Sequence, residues 1–371
     1  INFIHLNTLN RTYKTLYSLS LFCKHLFNPS SIQYFYTQTF TPINIYKIMK
    51  IVLLLLAQIL PAISFMVTPG FGPQHSPCQP LSMSTVLSSE SSTVGIVGRG
   101  FISVLVAKLA ALAGYDTWMI CPTGQEATIL SLLNEECRTP SNLELIPSSD
   151  TESVQGRMAD SSALLVAVDD DTTMDESVIN YLLDPETAKN MKRVVCMSRN
   201  LNNQGMGFLV KASKMSANNE VWDGSNADVY KNFEIAVKRQ ALACGAEYTI
   251  VRAGTLKGGA CGEDEFQQYL TKKYYEMTKK DIVTWQLLFD CNVRGVKIAK
   301  GDVLPGPGGR AIFTATGTDA LPGDTGRCGL AEAMVRSLEV EAAGNVDFGV
   351  GTDEGREPPS TQKWEELFNI L

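Results

Sequence analysis

Histidine is almost missing from this chain of 371 residues, which contains only His5, His25 and His75. All three precede the region that we interpret below as the mature domain. A Ser-His-Asp triad, a Cys-His dyad and a histidine-liganded metal each need an imidazole. The sequence after residue 75 therefore excludes these three kinds of site.

Cysteine pairs of the zinc-binding kind are also missing. No two of the cysteines after residue 90 have the spacing of a C-x-x-C pair, and none has a histidine nearby to complete a zinc site. We expect reduced and mostly buried thiols, with a regulatory disulfide as the alternative. The cysteines in question are Cys121, Cys137, Cys196, Cys244, Cys261, Cys291 and Cys328.

The first 48 residues contain no Met, Asp or Glu and are rich in Asn, Ile, Tyr, Phe and Thr. The first methionine of the chain is Met49. We interpret residues 1–48 as translated upstream sequence that does not fold, and a genuine extension is the alternative.

Residues 49–64 have the pattern of a signal peptide. Lys50 precedes an apolar run at 51–60, and Ala62 and Ser64 provide small residues before a cleavage point. The run is short for a bilayer span, although a membrane anchor or a buried helix is the alternative. Residues 65–90 follow as a transit-like segment rich in Ser, Thr and Pro.

A signal peptide followed by a segment that begins with Phe65 resembles the bipartite presequences of diatom-type algae with complex plastids. One difference is that residues 65–89 contain no Lys or Arg. The resemblance implies delivery to the plastid, as a stromal or thylakoid-associated protein. The mature domain would then comprise residues 91–371.

The chain beyond this leader is strongly acidic. The formal net charge is −7, and removing the five positive charges of residues 1–50 leaves −12. Such acidity argues against generic binding of nucleic acid or of an anionic membrane surface. The five basic residues are Arg11, Lys14, Lys24, Lys47 and Lys50.

Apolar strand-like runs alternate with helical segments from residue 93 to residue 251. This alternation with short connections predicts an α/β fold with a doubly wound parallel sheet, which is Rossmann-like. The predicted strands are 93–97, 117–121, 143–146, 163–168, 193–197 and 248–251, and the predicted helices are 101–113, 126–136 and 230–244.

Residues from about 255 to 327 break this alternation. They combine a charged helix at 263–280, a loop rich in Gly and Pro at 301–310, and a strand at 311–316. We interpret them as a small substrate-side insertion in the C-terminal part. A helix at 330–343, a strand at 346–350 and a helix at 361–371 complete the predicted domain.

The first strand leads directly into the pattern Gly98-x-Gly100-x-x-Ser103. In a dinucleotide-binding turn, the first glycine permits the turn and the second lets the backbone approach a pyrophosphate. The third allows close packing of helix and strand, a role that the small Ser103 can retain. The following helix N-terminus would offer free N–H groups and a positive dipole to the phosphates. A packing turn without a ligand is the alternative.

The second strand normally ends near an acid that binds the adenosine ribose. That position here reads Cys121-Pro122-Thr123-Gly124, with neither an acid nor an arginine. NAD therefore lacks its usual anchor. We prefer NADP as the cofactor, because no carboxylate would repel a 2′-phosphate, and NAD is the alternative.

A later string resembles a known family. Phe233-Glu-Ile-Ala and Gly245-Ala-Glu-Tyr-Thr-Ile-Val-Arg-Ala-Gly-Thr-Leu256 resemble the atypical short-chain dehydrogenase/reductases, whose sixth strand commonly reads YTIVRPG. The segments beginning at Gly329 and Asp347 resemble the late helix and closing strand of that family. Gly98-Arg-Gly-Phe-Ile-Ser103 resembles its G-x-x-G-F-I-G with one residue deleted and the last glycine changed. The resemblance covers about 93–371 and implies an NAD(P)-binding Rossmann fold.

The predicted cofactor site follows from this glycine turn and from the ends of the neighbouring strands. Its residues are Gly98, Arg99, Gly100, Phe101, Ile102, Ser103, Cys121, Thr123, Val168, Asp169, Arg252, Ala253 and Gly254.

The catalytic prediction depends on the resemblance. Short-chain dehydrogenase/reductases outside the atypical group use a Ser, and a Tyr with a Lys four residues further on, to exchange a proton with a carbonyl or an alcohol. Ser198 matches the serine position, and Tyr230 lies on the helix that should carry the tyrosine. The fourth residue after Tyr230 is Glu234, whose carboxylate would disfavour a tyrosinate. Two pairs with the correct spacing, Tyr269/Lys273 and Tyr275/Lys279, come after the sixth strand.

Three functions remain open at this point. One is a plastid NAD(P)-dependent oxidoreductase with a small-molecule substrate. The second is a non-catalytic dinucleotide-binding protein that senses redox state or assists assembly in a plastid protein complex. The third is RNA binding, which the acidic charge makes the weakest. We expect no metal site and no integral membrane segment in the mature domain.

Overall fold

The computed structural model describes residues 86–89, 91–134, 138–168, 174–201, 227–257, 269–278, 294–306, 323–353, 355 and 357–371. All of them lie in the unit Leu81–Leu371. The predicted segments 1–48 and 49–64, and most of 65–90, lie outside the described residues. Among the described residues, no helix is long and apolar enough to cross a membrane.

In the first half of this unit, strands and helices alternate strictly. The strands are β1 (Thr93–Arg99), β2 (Asp116–Cys121), β3 (Leu143–Pro147) and β4 (Ala163–Val168). The helices are α1 (Phe101–Leu112), α2 (Glu126–Leu133), α3 (Thr151–Asp160) and α4 (Glu176–Leu182).

The second half contains longer connections between its elements. Its strands are β5 (Arg193–Arg199), β6 (Glu247–Ala253), β7 (Thr255–Lys257), β8 (Gly295–Lys300), β9 (Asp324–Gly326) and β10 (Val346–Asp353). Its helices are α5 (Ala227–Ala243), α6 (Lys272–Thr278), α7 (Arg327–Arg336) and α8 (Thr361–Phe368), with a 3₁₀ turn at Glu341–Ala343.

The main sheet has the strand order β3-β2-β1-β4-β5-β6-β10-β8. All its pairs are parallel except that of β10 with β8, which is antiparallel. The order 3-2-1-4-5-6 is that of dinucleotide-binding sheets, in which strands are added to one side of β1 up to β3 and then to its other side from β4 onward. The predicted α/β, doubly wound and Rossmann-like fold is therefore confirmed.

Two apolar cores cover the two faces of this sheet. Along β4 the side chains alternate between them: Ala163, Leu165 and Ala167 face one core, and Leu164 and Val166 face the other. A strand that is buried on both faces reads as a continuous apolar run, as this one does. Helices α1, α7 and α8 contribute to the first core, and helices α3, α4 and α5 to the second.

The folded part begins before the predicted start at residue 91. Leu87 is buried in the first core, and its backbone N–H donates to the carbonyl of Leu338 at 3.0 Å. The end of the predicted transit-like segment thus belongs to the packed domain.

Several predicted boundaries differ from the structure. Strand β1 continues two residues beyond Val97, because Gly98 and Arg99 still pair with β4. The predicted helix 330–343 ends at Arg336 and is followed by a turn. Helices α3 and α4 were not predicted, since α3 buries only Val154 and Met158 and therefore lacks a strong apolar pattern.

The described parts of the predicted insertion at 255–327 do not form one block. Helix α6 packs against α2, β7 pairs with β9, and β8 joins the main sheet. The predicted strand at 311–316 and most of the predicted helix at 263–280 lie outside the described residues. A distinct substrate-side portion stays a prediction.

Candidate functional site

The turn between β1 and α1 consists of a single residue, Gly100, with φ 85° and ψ −162°. This backbone conformation suits glycine, which lacks a Cβ atom. The N-terminus of α1 has no side-chain cap. Gly100 at the N-cap position has no side chain that could accept from the first-turn N–H groups, and a helix N-terminus that follows a glycine turn is suited to binding an anion.

The other two positions of the glycine pattern serve packing. A Cβ atom on Gly98 would lie 1.6 Å from the carbonyl oxygen of Ala167 on β4, so glycine is required by close strand approach. Ser103 is buried, and its hydroxyl donates to the carbonyl of Gly100 at 2.9 Å. The serine is thus small enough for its place and its polar group is satisfied.

Sequence reasoning did not identify Tyr274 of α6 as part of this region. Its side chain is fully buried, its ring packs edge-on against Phe101 at 5.3 Å, and its hydroxyl donates to the Phe101 carbonyl at 2.9 Å. Thr271 ties the same segment to α2 through the carbonyl of Ser131. Contacts with α6, which is not part of the sheet, therefore hold the first turn of α1 in place. A tyrosine in a charged helix gives no sequence signal for such a contact.

At the carboxyl ends of β2 and β3 lies an exposed group of hydroxyls. Thr123 Oγ1 donates to Ser149 Oγ at 3.0 Å and lies 3.3 Å from Ser148 Oγ. The N–H of Ser149 donates to Thr123 Oγ1 at 3.2 Å. Hydroxyls can both donate to and accept from a sugar or a phosphate. Cys121, by contrast, has a buried side chain, and burial raises the pKa of its thiol.

The remaining predicted cofactor residues lie along the same edge. Ile102 and Val168 are buried at the first turn of α1 and the end of β4. Ala253 is buried at the end of β6, and the N–H of Gly254 donates to Thr325 Oγ1 at 2.8 Å. The side chain of Arg99 and all of Asp169 lie outside the described residues. The assignment of these residues to a cofactor stays a prediction.

Ser198 and Tyr230, the predicted catalytic residues, are both buried. Ser198 stands near the end of β5 beside Arg252 of β6, and its hydroxyl has no hydrogen-bond partner among the described residues. Tyr230 lies on the first turns of α5, which packs on β5 and β6. An unpartnered buried hydroxyl is costly for a protein and is available to a ligand.

Arg252 forms a buried ion network. Its guanidinium makes two hydrogen bonds to Glu234, at 2.9 and 2.8 Å, a third to Asp347, and lies 3.9 Å from Asp302. Burial alone would lower the pKa of Arg252, but the hydrogen bonds and charges of Glu234 and Asp347 outweigh it and raise the pKa. Glu234 is thus the partner of a cation, rather than the free carboxylate beside Tyr230 that the sequence suggested.

Asp302 fixes the chain that follows Ser198. It accepts hydrogen bonds from Asn200 Nδ2 at 2.8 Å and from the N–H of Leu201 at 2.9 Å. Arg199 Nη1 donates to the carbonyl of Gly254 at 2.8 Å, which ties the ends of β5 and β6 together. Asp302 was missed because it lies in a loop 100 residues away, where nothing in the sequence indicates its partner.

The pair Tyr269/Lys273 does not act as a unit. Tyr269 is directed to Glu332 and Arg294, whereas Lys273 Nζ donates to Ser131 Oγ at 2.8 Å. The Tyr275 side chain and Lys279 lie outside the described residues. In the described part of the chain, no group of His, Cys, Asp and Glu could hold a metal ion.

No family model matches this sequence, and no curated protein matches it. Solved structures do. A Rossmann-fold NAD(P)-binding family protein from Shigella flexneri is 15% identical over 72% of this chain and 98% of its own, with a TM-score of 0.39. An oxidoreductase from Lactococcus lactis is 13% identical over 75% and 96%, with a TM-score of 0.41. A yeast methylglyoxal/isovaleraldehyde reductase complexed with NADPH is 14% identical over 69% and 74%, with a TM-score of 0.39.

The first of these neighbours is thus described as NAD(P)-binding, the second as an oxidoreductase and the third as a reductase with bound NADPH. The identities and TM-scores are low, so the assignment of the fold rests on the strand order of this chain itself.

Proposed function

We propose that this chain binds a nicotinamide dinucleotide across the carboxyl edge of its sheet and acts as a reductase. The observation that carries the proposal is the one-residue glycine turn that leads from β1 into the N-terminus of α1, beside the point where the strand order reverses. Ligands of open α/β sheets bind at such a reversal. The pyrophosphate would lie against Gly100 and the first N–H groups of α1.

The hydroxyls of Thr123, Ser148 and Ser149 support NADP rather than NAD. They stand at the ends of β2 and β3, where the adenosine ribose of a Rossmann protein is bound. They would donate hydrogen bonds to a 2′-phosphate, and the segment Cys121-Pro122-Thr123-Gly124 at the end of β2 contains no acid.

The reactive part of the site would lie at the ends of β5 and β6. A bound reduced nicotinamide supplies a hydride. The Ser198 hydroxyl would donate to the substrate oxygen and hold it in place, while the ion network of Arg252 keeps β6 and α5 fixed beside it. Tyr230 is the predicted proton donor. The residue four positions after it is Glu234, not the lysine that the resemblance implies.

A non-catalytic dinucleotide-binding subunit is the second candidate. One observation favours it: Glu234 occupies the lysine position and is held by Arg252, so no cation stands four residues after Tyr230 to favour proton release. For both candidates we propose a plastid location, supported by the sequence pattern of residues 49–90 alone.

The test uses residues 81–371, which include Leu87 and both cores. A ligand that binds only the native state must raise the melting temperature. We expect a larger shift with NADPH than with NADH, followed by NADPH oxidation with one member of a carbonyl, quinone and flavin panel. Binding without turnover would favour the second candidate, and no shift with any nicotinamide dinucleotide would refute both.

A further inference from the structure

A cavity of about 220 Å³ lies far from the glycine turn, between α1, α7 and α8. Its apolar wall is formed by Leu109 and Leu112 of α1, Val335 of α7 and Trp364 of α8. Leu109 stands eight residues after Phe101, which is about 12 Å along a helix axis. The cavity is therefore separate from the proposed cofactor site.

Two charged side chains of α7, Glu332 and Arg336, also line this cavity. They are four residues apart, a spacing at which opposite charges on a helix commonly pair with each other. Here each charge is bound elsewhere. Glu332 Oε1 lies 3.4 Å from Arg294 Nη2, and Arg336 Nη1 donates to Glu339 Oε2 at 2.7 Å.

Part of each charged group remains available. The contacts of Glu332 with Arg294, Cys328 and Tyr269 all fall on Oε1. Among the described residues, Glu332 Oε2 and the Nε and Nη2 atoms of Arg336 have no partner. Both residues line the cavity beside its apolar wall, one helical turn apart, and each has polar atoms without a hydrogen-bond partner among the described residues.

The Glu332 side chain is largely shielded from water, with 12% of it exposed. Burial raises the pKa of Glu332, while Arg294, Cys328 and Arg336 act in the opposite direction. A carboxylate with little water around it gains more from an ammonium partner than an exposed one does.

We propose that this cavity binds a small zwitterion with an apolar side chain, of the size and chemistry of a free aliphatic amino acid. The ammonium group binds Glu332, the carboxylate binds Arg336, and the side chain packs against Leu109, Leu112 and Trp364. The volume agrees with this class, because drug-sized ligands fill pockets of roughly 300–1,000 Å³. This proposal does not depend on dinucleotide binding.

The experiment is calorimetric titration of residues 81–371 with L-leucine and with analogues that lack one recognised group. These are 3-methylbutylamine without the carboxylate, 4-methylpentanoate without the ammonium, and glycine without the side chain. We expect L-leucine to bind with a Kd below about 1 mM and every analogue at least about tenfold more weakly, since each tenfold is about 1.4 kcal/mol. No heat with L-leucine, or equal binding of any analogue, would overturn the proposal.

Variants identify the site. Glu332→Gln keeps the shape and removes the charge, and we expect at least tenfold weaker binding of L-leucine. Leu112→Trp places bulk at a half-exposed position of the wall and leaves both charges, so it tests the cavity even if Glu332→Gln fails to fold. Glu365→Gln, exposed next to Trp364, is the matched control with unchanged binding. Wild-type affinity in Leu112→Trp would refute the site, and the NADPH-induced shift should be the same in all three variants.

Discussion

The two halves of the sheet's carboxyl edge are built from different chemistry. Around β1, β2 and β3 the polar groups are backbone N–H groups and the exposed hydroxyls near Thr123. Around β5, β6 and β10 they are buried charges centred on Arg252 and Glu234. The first half can receive an anion without first removing a protein charge from its partner. The second half is fixed in place by charges that are already paired.

We call the part of the edge around β1, β2 and β3 the glycine half, and the part around β5, β6 and β10 the charged half. The first half has the features of a ligand-binding surface, and the second holds its own side chains in position. The glycine half offers a glycine turn at the start of α1 and a group of exposed hydroxyls that bond to one another. The charged half has satisfied its ions and leaves Ser198 as a buried hydroxyl with no partner among the described residues. Substitutions in the two halves should therefore affect different measurements: ligand affinity in the first, and stability or turnover in the second.

The largest effect is expected in the charged half. Arg252→Met leaves Glu234 buried without its cation, and we expect a loss of about 3–5 kcal/mol in the free energy of unfolding. Urea denaturation measures it. Arg239→Met, on the helix α5 that also carries Glu234, is the control, because the pair of Arg239 with Glu176 is more than half exposed and contributes at most about 1 kcal/mol. Equal losses in the two variants would show that the buried network stabilises the protein no more than an exposed ion pair does.

Arg252 also shows what the sequence could and could not predict. The apolar runs that alternate with helical segments predicted the sheet, because a central strand that is buried on both faces must be a continuous apolar run. The partner of Arg252 lies 18 residues earlier and depends on how α5 packs over β6. Nothing in the local sequence around Glu234 indicates that pairing, so Glu234 was interpreted only through its distance from Tyr230.

The glycine turn was predictable for the opposite reason. Gly98, Gly100 and Ser103 act through short-range geometry that their spacing encodes directly. Tyr274, Asp302 and Ser149 were missed, since each reaches the edge from a segment distant in sequence.

Ser198→Ala should reduce turnover without reducing stability. If Ser198 holds the substrate oxygen, we expect kcat to fall by roughly 100-fold, a typical magnitude for the loss of one hydrogen-bond donor to a reacting oxygen. The unpartnered hydroxyl costs free energy in the folded state, so the melting temperature should stay the same or rise. Steady-state kinetics with the substrate found in the panel, together with thermal unfolding, measures both. A large loss of stability would contradict the structural account of this hydroxyl.

In the glycine half, Gly100→Ala should weaken NADPH binding at least tenfold. An alanine is strained by about 1–3 kcal/mol at this φ and ψ, and its methyl group stands where the phosphates approach. Gly245→Ala is the matched control, because Gly245 also has a positive φ of 74° and has open space around it. We expect both variants to lose stability and only Gly100→Ala to lose the NADPH-induced thermal shift. Loss of the shift in both would remove the assignment of this turn to the pyrophosphate.

Thr123→Asp should change the cofactor preference. A carboxylate at the end of β2 would repel a 2′-phosphate and could accept hydrogen bonds from a ribose instead. We expect NADPH affinity to fall about tenfold and NADH affinity to rise, as measured by calorimetry. Thr123→Val, which removes the hydroxyl without adding charge, should weaken NADPH by only a few-fold, about 1 kcal/mol. Unchanged preference in Thr123→Asp would place the ribose elsewhere.

The smallest effect is expected for a partly exposed ion pair at the opposite edge of the sheet, where β2 begins. The hydrogen bond from Arg157 is the main cause that lowers the pKa of Asp116 at the start of β2. A carboxyl with a lowered folded-state pKa stabilises the protein above its ordinary pKa, near 4, and loses that contribution as the pH falls through the folded-state value. Because the pair is partly exposed, Asp116→Asn should cost only about 0.5 kcal/mol at pH 7, and the difference from wild type should disappear in acid. A cost comparable to that of Arg252→Met would mean that this partly exposed ion pair stabilises the domain as much as the buried network does.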